Sequence, residues 1–270
     1  MKKIVKILKI SLIVLLIITG ITTVFTWYAL NKPGVIILMY HKIGNPKPHA
    51  KIKGLYVTPE RFEGHIVLLK KLGFTFITYR QYLENKNNND FFKKKIMITV
   101  DDGYEDNYTN MFPILKKHVV PAHIFMITGA IGARNYTEGG WDREKVEEDM
   151  LTEAQIKEMY ASGLVFFGSH CVDHKPITEF NDEERIGQLK ASKERLERLL
   201  DTTIDMFAFP IGVYTDAALL DVEKSGYSMT FTTDEGRNYP ETALYQLKRI
   251  GIAGWFSDTD IIKKCALSAF

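Results

Sequence analysis

Two adjacent carboxylates and two closely spaced histidines are the residues of this chain best suited to chemistry. Asp101 and Asp102 follow one apolar run, and His170 and His174 follow another. Adjacent side chains at a strand end point in different directions, so one carboxylate can bind a metal ion while the other faces a water molecule. The i, i+4 spacing of the histidines places both rings on one face if the chain makes a helical turn there.

One aspartate and two histidines form a three-ligand set with open coordination positions. Such a set suits catalytic Zn²⁺ or a related divalent ion, and it also suits a non-haem Fe(II) oxygenase. Those oxygenases usually contain His-x-Asp followed by a distant His, which this chain lacks. Cys171 follows His170 where a zinc protease of the His-Glu-x-x-His type needs Glu. Taken alone, Asp101-Asp102-Gly103 is also typical of an acidic turn, and two histidines are also typical of an exposed surface.

Eight apolar runs alternate with helical patterns and predict an α/β fold. Several runs are apolar throughout, as in parallel strands that are buried on both faces. Eight strands alternating with helices favour an irregular or incomplete (β/α) barrel of seven or eight strands, with an open doubly wound sheet as the alternative. No glycine-rich phosphate loop follows the first run, which argues against nucleotide binding. The predicted strands are residues 35–40, 74–77, 96–100, 122–127, 164–168, 206–209, 228–231 and 247–252.

Capping patterns predict where three helices begin. Thr58 precedes Pro59, and Pro is favoured at the first helical position. Capping boxes are predicted at Thr152 and Asn181, the second opening a long charged helix over 182–200. Residues 129–150 are rich in Gly, Glu and Asp and predict a surface loop over one end of the fold.

The ends of the predicted strands carry the candidate site. In a parallel β/α barrel the active site lies at the C-terminal ends of the strands. His41 ends the first strand, and Asp101, Asp102 and His170 also follow strands directly, as does the segment 209–212. No role is assigned to the other histidines, which are His49, His65, His118 and His123.

Composition and charge narrow the class of protein. The chain has 270 residues, 46% apolar and 25% charged, which fits one globular domain and excludes wholesale disorder, collagen and a multi-span transporter. The first thirty residues carry four lysines and no acid, so the rest of the chain is slightly acidic despite a total charge of +2. That balance argues against nucleic acid as a partner. Cys171 and Cys265 have no metal-ligand spacing, and a disulfide between them stays open.

The N-terminal region predicts a membrane anchor. Residues 10–30 form a run of 21 uncharged, mostly apolar residues, long enough to span a bilayer as a helix. The lysines lie only before this run, which places the N-terminus in the cytoplasm. Its end lacks an A-x-A-like cleavage site, which favours an uncleaved signal anchor over a cleaved signal peptide. We therefore expect a single-pass protein of the cell membrane, with a short tether at 31–34 and an extracellular domain at 35–270.

Three motifs, in this order, resemble the polysaccharide deacetylases of carbohydrate esterase family 4, the NodB-homology group. Thr-Val-Asp-Asp-Gly-Tyr at 99–104 resembles the family's Thr-Phe-Asp-Asp-Gly motif. His-Cys-Val-Asp-His at 170–174 resembles its His-(Ser/Thr)-x-x-His motif, and Phe-Pro-Ile-Gly at 209–212 resembles Arg-x-Pro-x-Gly. The resemblance covers about residues 35–252 and implies the NodB-type barrel.

The departures from the family pattern point to one branch of it. Ala208 replaces the Arg of the third motif. In the second motif Cys171 stands where Ser or Thr is usual, and Lys175 comes before Pro176 where the family has Pro at once. The family's Leu-x-x-His motif is absent near the C-terminus, since residues 247–250 contain no His. The Tyr-His element ending at His41 instead resembles the biofilm branch, the poly-β-1,6-N-acetylglucosamine deacetylases of the intercellular adhesion protein B type. The Asp-Asp-Gly-Tyr-x-Asp-Asn-Tyr stretch at 101–108 also resembles that branch.

The resemblance implies metal-dependent hydrolysis of N-acetyl groups on an extracellular N-acetylglucosamine polymer. It implies Asp102, His170 and His174 as ligands of a divalent ion, Zn²⁺ first and Co²⁺, Ni²⁺ or Fe²⁺ as alternatives. It implies Asp101 as general base, His41 as general acid and the backbone N–H of Ile211 as oxyanion donor. Without the Arg at position 208, Asp101 is expected to lack the partner that tunes its pKa in other members.

The alternatives are a peptidoglycan or other cell-surface glycan deacetylase and an inactive glycan-binding member. The expected partners are the polysaccharide, the membrane and the machinery that makes and exports the polymer, with the protein itself a monomer.

Overall fold

The computed structural model describes residues 2–48, 50, 52–137 and 147–269. The middle of the predicted loop at 129–150 and the unassigned His49 lie outside the described residues. The helices are α1 (Lys2–Asn31), α2 (Pro59–Lys71), α3 (Tyr79–Glu84), α4 (Phe112–His118), α5 (Glu153–Ala161), α6 (Asp182–Leu200), α7 (Asp216–Lys224) and α8 (Asp258–Leu267). The strands are β1 (Val35–Tyr40), β2 (Lys42–Ile43), β3 (Tyr56–Val57), β4 (Thr75–Phe76), β5 (Lys95–Asp102), β6 (Ala122–Met126), β7 (Val165–Ser169), β8 (Met206–Ala208), β9 (Met229–Phe231) and β10 (Ile250–Gly251).

One curled parallel sheet forms the centre of the fold and confirms the predicted irregular barrel. Its order is β10-β1-β5-β6-β7-β8-β9, and β4 pairs with β5 at one end of that strand. All pairs in this sheet are parallel, so the C-terminal ends of its strands lie at the same edge. A strand was correctly predicted in each of the eight places. The separate pair β2–β3 was not predicted.

The segment from Leu247 to β10 joins the two edges of the sheet. On one side the Leu247 N–H donates to the carbonyl of Thr230 in β9 at 3.0 Å. The Leu247 carbonyl accepts from the N–H of Thr232, just after β9, at 2.9 Å. On the other side Ile250 of β10 pairs with Leu38 of β1. The strand predicted over 247–252 is therefore divided, and one short segment bridges the gap between the first and last strands. This closure brings residue 249 to the inside of the barrel.

Alternation along the strands separates two apolar cores. Residues such as Ile37 and Met97 face the inside of the barrel, where Phe125 of β6 and Phe231 of β9 approach with ring centroids 4.9 Å apart. Their neighbours in sequence pack outward against the helices. Because side chains alternate with period two, Asp101 faces inward, four residues after Met97 in the same strand.

The predicted helix starts are confirmed. Thr58 caps α2 through its side chain, with Pro59 at the first helical position. Thr152 and Gln155 form a capping box at α5, and Asn181 and Glu184 form one at α6. Each cap satisfies backbone N–H groups that a helix end otherwise leaves without partners.

The end of α1 is part of the folded body rather than a free tether. Within the described residues, Lys6–Asn31 is one helix long and apolar enough to cross a membrane. Its last turn differs from the exposed remainder, because Ala29 and Leu30 are buried in the core between sheet and helices. The buried Arg237 guanidinium donates to the Lys32 carbonyl at 2.7 Å and to that of Cys265 in α8 at the same distance.

This docking predicts that the last turn of α1 stabilises the body. In a soluble chain that begins at Trp27, Leu30→Ala is expected to lower the free energy of unfolding by about 2 kcal/mol, because it leaves a cavity between α1 and α8. Trp27→Ala is the matched control, since Trp27 is 67% exposed. Equal midpoints in urea unfolding for the two variants would contradict the docking.

Candidate active site

The six sequence-predicted site residues line one open pocket at the C-terminal edge of the sheet. The pocket has a volume of about 260 Å³. It is wide enough for a small substituent and is bounded by both charged and apolar side chains. Its walls are formed by Met39, His41, Ile52, Leu55, Asp101, Asp102, His170, His174, Phe209, Ile211 and Thr233.

Asp102, His170 and His174 form a group that could hold a metal ion. Their potential ligand atoms all lie within 4.8 Å of one another. Asp102 Oδ1 is 3.6 Å from Nε2 of His170 and 3.3 Å from Nε2 of His174. Two ligands bound at about 2.0–2.2 Å to a tetrahedral ion lie about 3.3–3.6 Å apart. The spacing of these atoms therefore fits a small divalent ion.

The protonation of His170 supports the same reading. Its Nδ1 lies 2.8 Å from the carbonyl of Ala208, so Nδ1 carries the proton and donates it. Burial lowers the pKa of His170 to about 3, which keeps the ring neutral. The Nε2 lone pair then faces the Asp102 carboxylate, and a cation between two such acceptors stabilises the arrangement. A second hydrogen bond that fixes the tautomer is typical of metal-binding histidines.

The two histidines meet by a different route from the one predicted. The i, i+4 spacing places both rings on one face only if the chain makes a helical turn, but residues 170–176 form an irregular loop. Cys171 and His174 have positive φ of 60° and 54°, and these two bends bring the rings to a centroid distance of 4.8 Å. The helical turn on which that expectation depended does not form over residues 170–176, although the two rings do meet.

Further positive-φ residues surround the pocket. Asp102 has φ of 78° at the end of β5. Ile211 has φ of 60° and ψ of 0°, a conformation in which a β-branched residue is a genuine outlier. At Gly212 an added Cβ would lie 1.9 Å from Thr233 Oγ1, so only glycine fits there. Backbone strain of this kind clusters at functional sites.

Arg249 is the functional residue that sequence reasoning missed. Its guanidinium is fully buried and binds Asp101 in a bidentate pair, with Nη1–Oδ1 of 2.6 Å and Nη2–Oδ2 of 2.9 Å. The expectation that Asp101 lacks a tuning partner was wrong, because Arg249 takes the place left open by Ala208. The signal in the sequence is weak, since Arg249 follows Lys248 within the strand predicted at 247–252.

The charge of Arg249 decides the protonation of Asp101. Burial alone would raise the pKa of this carboxyl group, but the guanidinium outweighs it and the pKa falls to about 2. Asp101 is therefore ionised throughout the neutral range, with both oxygens held by Arg249. An ionised carboxylate beside a metal-binding group can accept a proton from water.

His41 lies in the same pocket as the metal-binding group, where the sequence placed it. It follows β1 directly and is half-buried. Burial lowers its pKa to about 4, while the nearby Asp101 carboxylate acts in the opposite direction. A buried imidazole with a low pKa is a strong acid in its protonated form.

His65, His118 and His123, which were left without a role, and both cysteines lie outside the pocket. His123 is fully buried below it, bonded to the Ile98 carbonyl and the Tyr79 N–H. His65 contacts the Tyr40 hydroxyl, and His118 contacts Glu63. The disulfide question is settled by the structure, in which both cysteines are buried free thiols.

Comparisons with known proteins match this chain to polysaccharide deacetylases. The family model described as "Polysaccharide deacetylase" matches residues 88–230. A poly-β-1,6-N-acetyl-D-glucosamine N-deacetylase of Staphylococcus aureus is 30% identical over 211 residues, which are 75% of this chain and 70% of that protein.

Two solved structures share the whole barrel. The Streptococcus pyogenes deacetylase PplD, solved in complex with acetate, superposes with a TM-score of 0.73 at 28% identity, covering 86% of this chain and 99% of that one. IcaB from Ammonifex degensii superposes with a TM-score of 0.73 at 25% identity, covering 87% and 98%. Both likenesses extend beyond the residues matched by the family model.

Proposed function

Because the chain belongs to the polysaccharide deacetylase family, we propose that it removes N-acetyl groups from an extracellular polymer of N-acetylglucosamine, with a bound divalent metal ion. The observation that carries this is the pocket in which the Asp102–His170–His174 group lies beside an ionised Asp101. Poly-β-1,6-N-acetylglucosamine is the proposed polymer, since a relative at 30% identity is named as the N-deacetylase of that polymer. The chain is an enzyme, a hydrolase of the deacetylase class.

In the proposed mechanism Asp102, His170 and His174 hold the ion, for which Zn²⁺ is the first candidate. When bound, a divalent ion polarises the acetamide carbonyl and lowers the pKa of water. Asp101 accepts the proton of the attacking water, because Arg249 keeps it ionised and fixes both of its oxygens. The backbone N–H of Ile211 donates to the oxyanion that forms.

His41 completes the proposed reaction by protonating the leaving nitrogen. An amine leaves poorly as an anion, so breaking the C–N bond needs a positioned acid. Burial lowers the pKa of His41 to about 4, so the ring is mostly neutral at pH 7 and must take up from water the proton that it then donates to the nitrogen. The acetyl group leaves as acetate, and the sugar keeps a free amine.

Acetate release is the direct test of the proposal. A soluble chain that begins at Trp27 should release acetate from poly-β-1,6-N-acetylglucosamine oligomers, and a chelator should stop the release. Chitooligomers and peptidoglycan are the comparison substrates, and faster release from peptidoglycan would replace the proposed polymer by that alternative. No acetate from any of the three, with metal bound, would refute the activity.

We also propose that α1 anchors the enzyme in the cell membrane with the barrel outside. This helix enters at the N-terminal end of β1, whereas the pocket lies at the C-terminal end, about 20 Å further along six extended residues. Because the last turn of α1 is docked on the body, the position of this helix relative to the pocket is fixed. The pocket would then lie at the end of the barrel opposite the anchor. Recovery of most of the native protein from the medium would contradict the anchor.

Arg249 predicts a change in pH dependence. In Arg249→Gln, burial would raise the pKa of Asp101 without opposition from the guanidinium. Because the base works only when ionised, the rate should fall as pH decreases through this raised pKa, whereas the parent keeps Asp101 ionised down to about pH 2. We expect kcat/KM at pH 7 to fall about 10- to 100-fold, with an acidic limb at higher pH than in the parent.

Arg237→Gln is the matched control for this prediction, because Arg237 is also buried but binds carbonyls of Lys32 and Cys265. It should lower stability and leave the pH profile of kcat/KM unchanged. Profiles of the two variants measured between pH 4 and 9 decide the matter. An Arg249→Gln profile that overlays the parent would show that Asp101 does not depend on this pair.

A further inference from the structure

The backbone around His41 is held by side chains from the segment that follows the metal-binding strand. The Asn107 side-chain amide donates to the His41 carbonyl at 3.0 Å. The Asp106 carboxylate accepts from the Ile43 N–H, and the Asn110 amide donates to the Ile43 carbonyl at 2.7 Å. We call Asp106, Asn107 and Asn110 the clamp.

His41 depends on this clamp because it lies outside both sheets. The main sheet uses β1 only as far as Tyr40, and β2 begins at Lys42 and pairs only with β3. The His41 carbonyl is therefore bonded by a side chain rather than by a strand. A buried carbonyl needs such a partner, and the bond fixes where the chain turns out of the barrel.

Local structure makes the clamp rigid. Residues Asn107–Met111 form a single π-helical turn, a rare geometry that is frequent at functional sites. Asn107 is fully buried, and its amide also donates to Asp106 Oδ1 at 2.8 Å, which links two members of the clamp. Next to His41, the Lys42 ammonium lies 4.5 and 4.6 Å from the ring centroids of Tyr56 and Tyr104.

From these contacts we propose that Asn107 and Asn110, assisted by Asp106, are positioning residues that hold the His41 imidazole in place for proton transfer to the leaving nitrogen. This inference rests on the proposed function of His41. It gives a role to the second half of the stretch at 101–108, whose first half carries Asp101 and Asp102. Residues 101–110 would then include the base, a metal ligand and the residues that position the acid.

The test compares two substrates in three variants. Asn107→Ala should lower deacetylation of an N-acetylglucosamine oligomer by about 10- to 100-fold, since a displacement near 1 Å can have that effect. Asn110→Ala, at a less buried position, should lower it about 3- to 10-fold. Hydrolysis of an aryl acetate, whose leaving group needs little protonation, should change less than about 3-fold. Thr109→Ala on the same turn is the matched control, because Thr109 is exposed, and it should resemble the parent.

A double-variant cycle separates positioning from a general structural effect. If Asn107 acts through His41, Asn107→Ala should cause no further loss of amide turnover in a His41→Ala background. Metal content should equal that of the parent in every variant. Additive losses, equal losses on amide and ester, or clamp variants that match Thr109→Ala would each overturn the proposal. If Asn107→Ala does not fold, Asn110→Ala carries the same comparison.

A readout that does not depend on turnover distinguishes failure of the clamp from failure of the proposed function. Modification of His41 by diethyl pyrocarbonate, followed by peptide mass spectrometry, should be faster in Asn107→Ala and Asn110→Ala than in Thr109→Ala. Faster modification together with full amide turnover in His41→Ala would refute the role of His41 as acid, and with it the catalytic purpose of the clamp. Unchanged modification rates in both clamp variants would refute the clamp itself.

Discussion

Asp102→Ala is expected to lose bound metal and acetate release together. Asp102 Oδ1 faces both His170 and His174 at 3.6 and 3.3 Å, so its removal leaves two ligands for the ion. A bound metal supplies several kcal/mol of transition-state stabilisation, and each 1.36 kcal/mol is about tenfold in rate. Activity should therefore fall by at least about 10³-fold. His174→Ala should behave in the same way.

Asp101→Asn provides the contrast that assigns the two neighbouring aspartates. It removes the base and leaves the three ligands in place, so it should keep the metal and lose turnover. Elemental analysis of purified variants, alongside acetate release, makes the comparison, and His118→Ala is a histidine control outside the pocket. Parent-like metal in Asp102→Ala would contradict its role as a ligand. Metal loss in Asp101→Asn as large as in Asp102→Ala would reverse the two roles.

The fold was predictable because buried parallel strands leave a strong local pattern. Strands such as β1 and β6 are buried on both faces, so each appears in the sequence as a mostly apolar run. The helix starts were predictable because a capping box is complete within four residues, as at Thr152 and Asn181. Both signals are carried by residues close together in the chain, and they need no knowledge of tertiary contacts.

The partner of Asp101 was not predictable, because it depends on barrel closure. Arg249 is 148 residues away from Asp101 in sequence. It reaches the carboxylate only because residues 247–251 join both edges of the sheet and turn this side chain inward. The family's third motif marks by its sequence pattern where an Arg is expected, here at the position of Ala208. It cannot show that another strand supplies the same charge.

The loop that brings His170 and His174 together lay beyond sequence reasoning for a different reason. Positive φ is uncommon outside glycine, although His is among the residues enriched there, and no glycine marks the bends at Cys171 and His174 in the sequence. The i, i+4 spacing therefore suggested a helix, although these two bends produce a similar approach of the rings. The buried last turn of α1 was missed likewise, since Ala29 and Leu30 continue the apolar pattern of the exposed helix.

His41→Ala is expected to fold and bind metal normally and to lose about 10²- to 10⁴-fold in amide deacetylation, the range for one general acid. His41 lines the pocket with Asp101 and the metal-binding group, and the proposed mechanism has its imidazole protonate the leaving nitrogen. The variant removes no ligand and leaves the Asp101–Arg249 pair intact. The comparison is made on an acetylated glucosamine oligomer, with metal content measured on the same preparation.

An activated ester separates proton donation by His41 from its other possible roles. An aryl acetate loses a stable phenolate that needs little protonation, so His41→Ala should retain most of its esterase activity while amide turnover collapses. Equal loss on both substrates, with the metal retained, would mean that His41 orients the acetyl group or stabilises the oxyanion. Full amide turnover would refute any catalytic part for His41. Among these outcomes, only selective loss on the amide supports a general acid on the first strand, in a chain that lacks the family's C-terminal Leu-x-x-His motif.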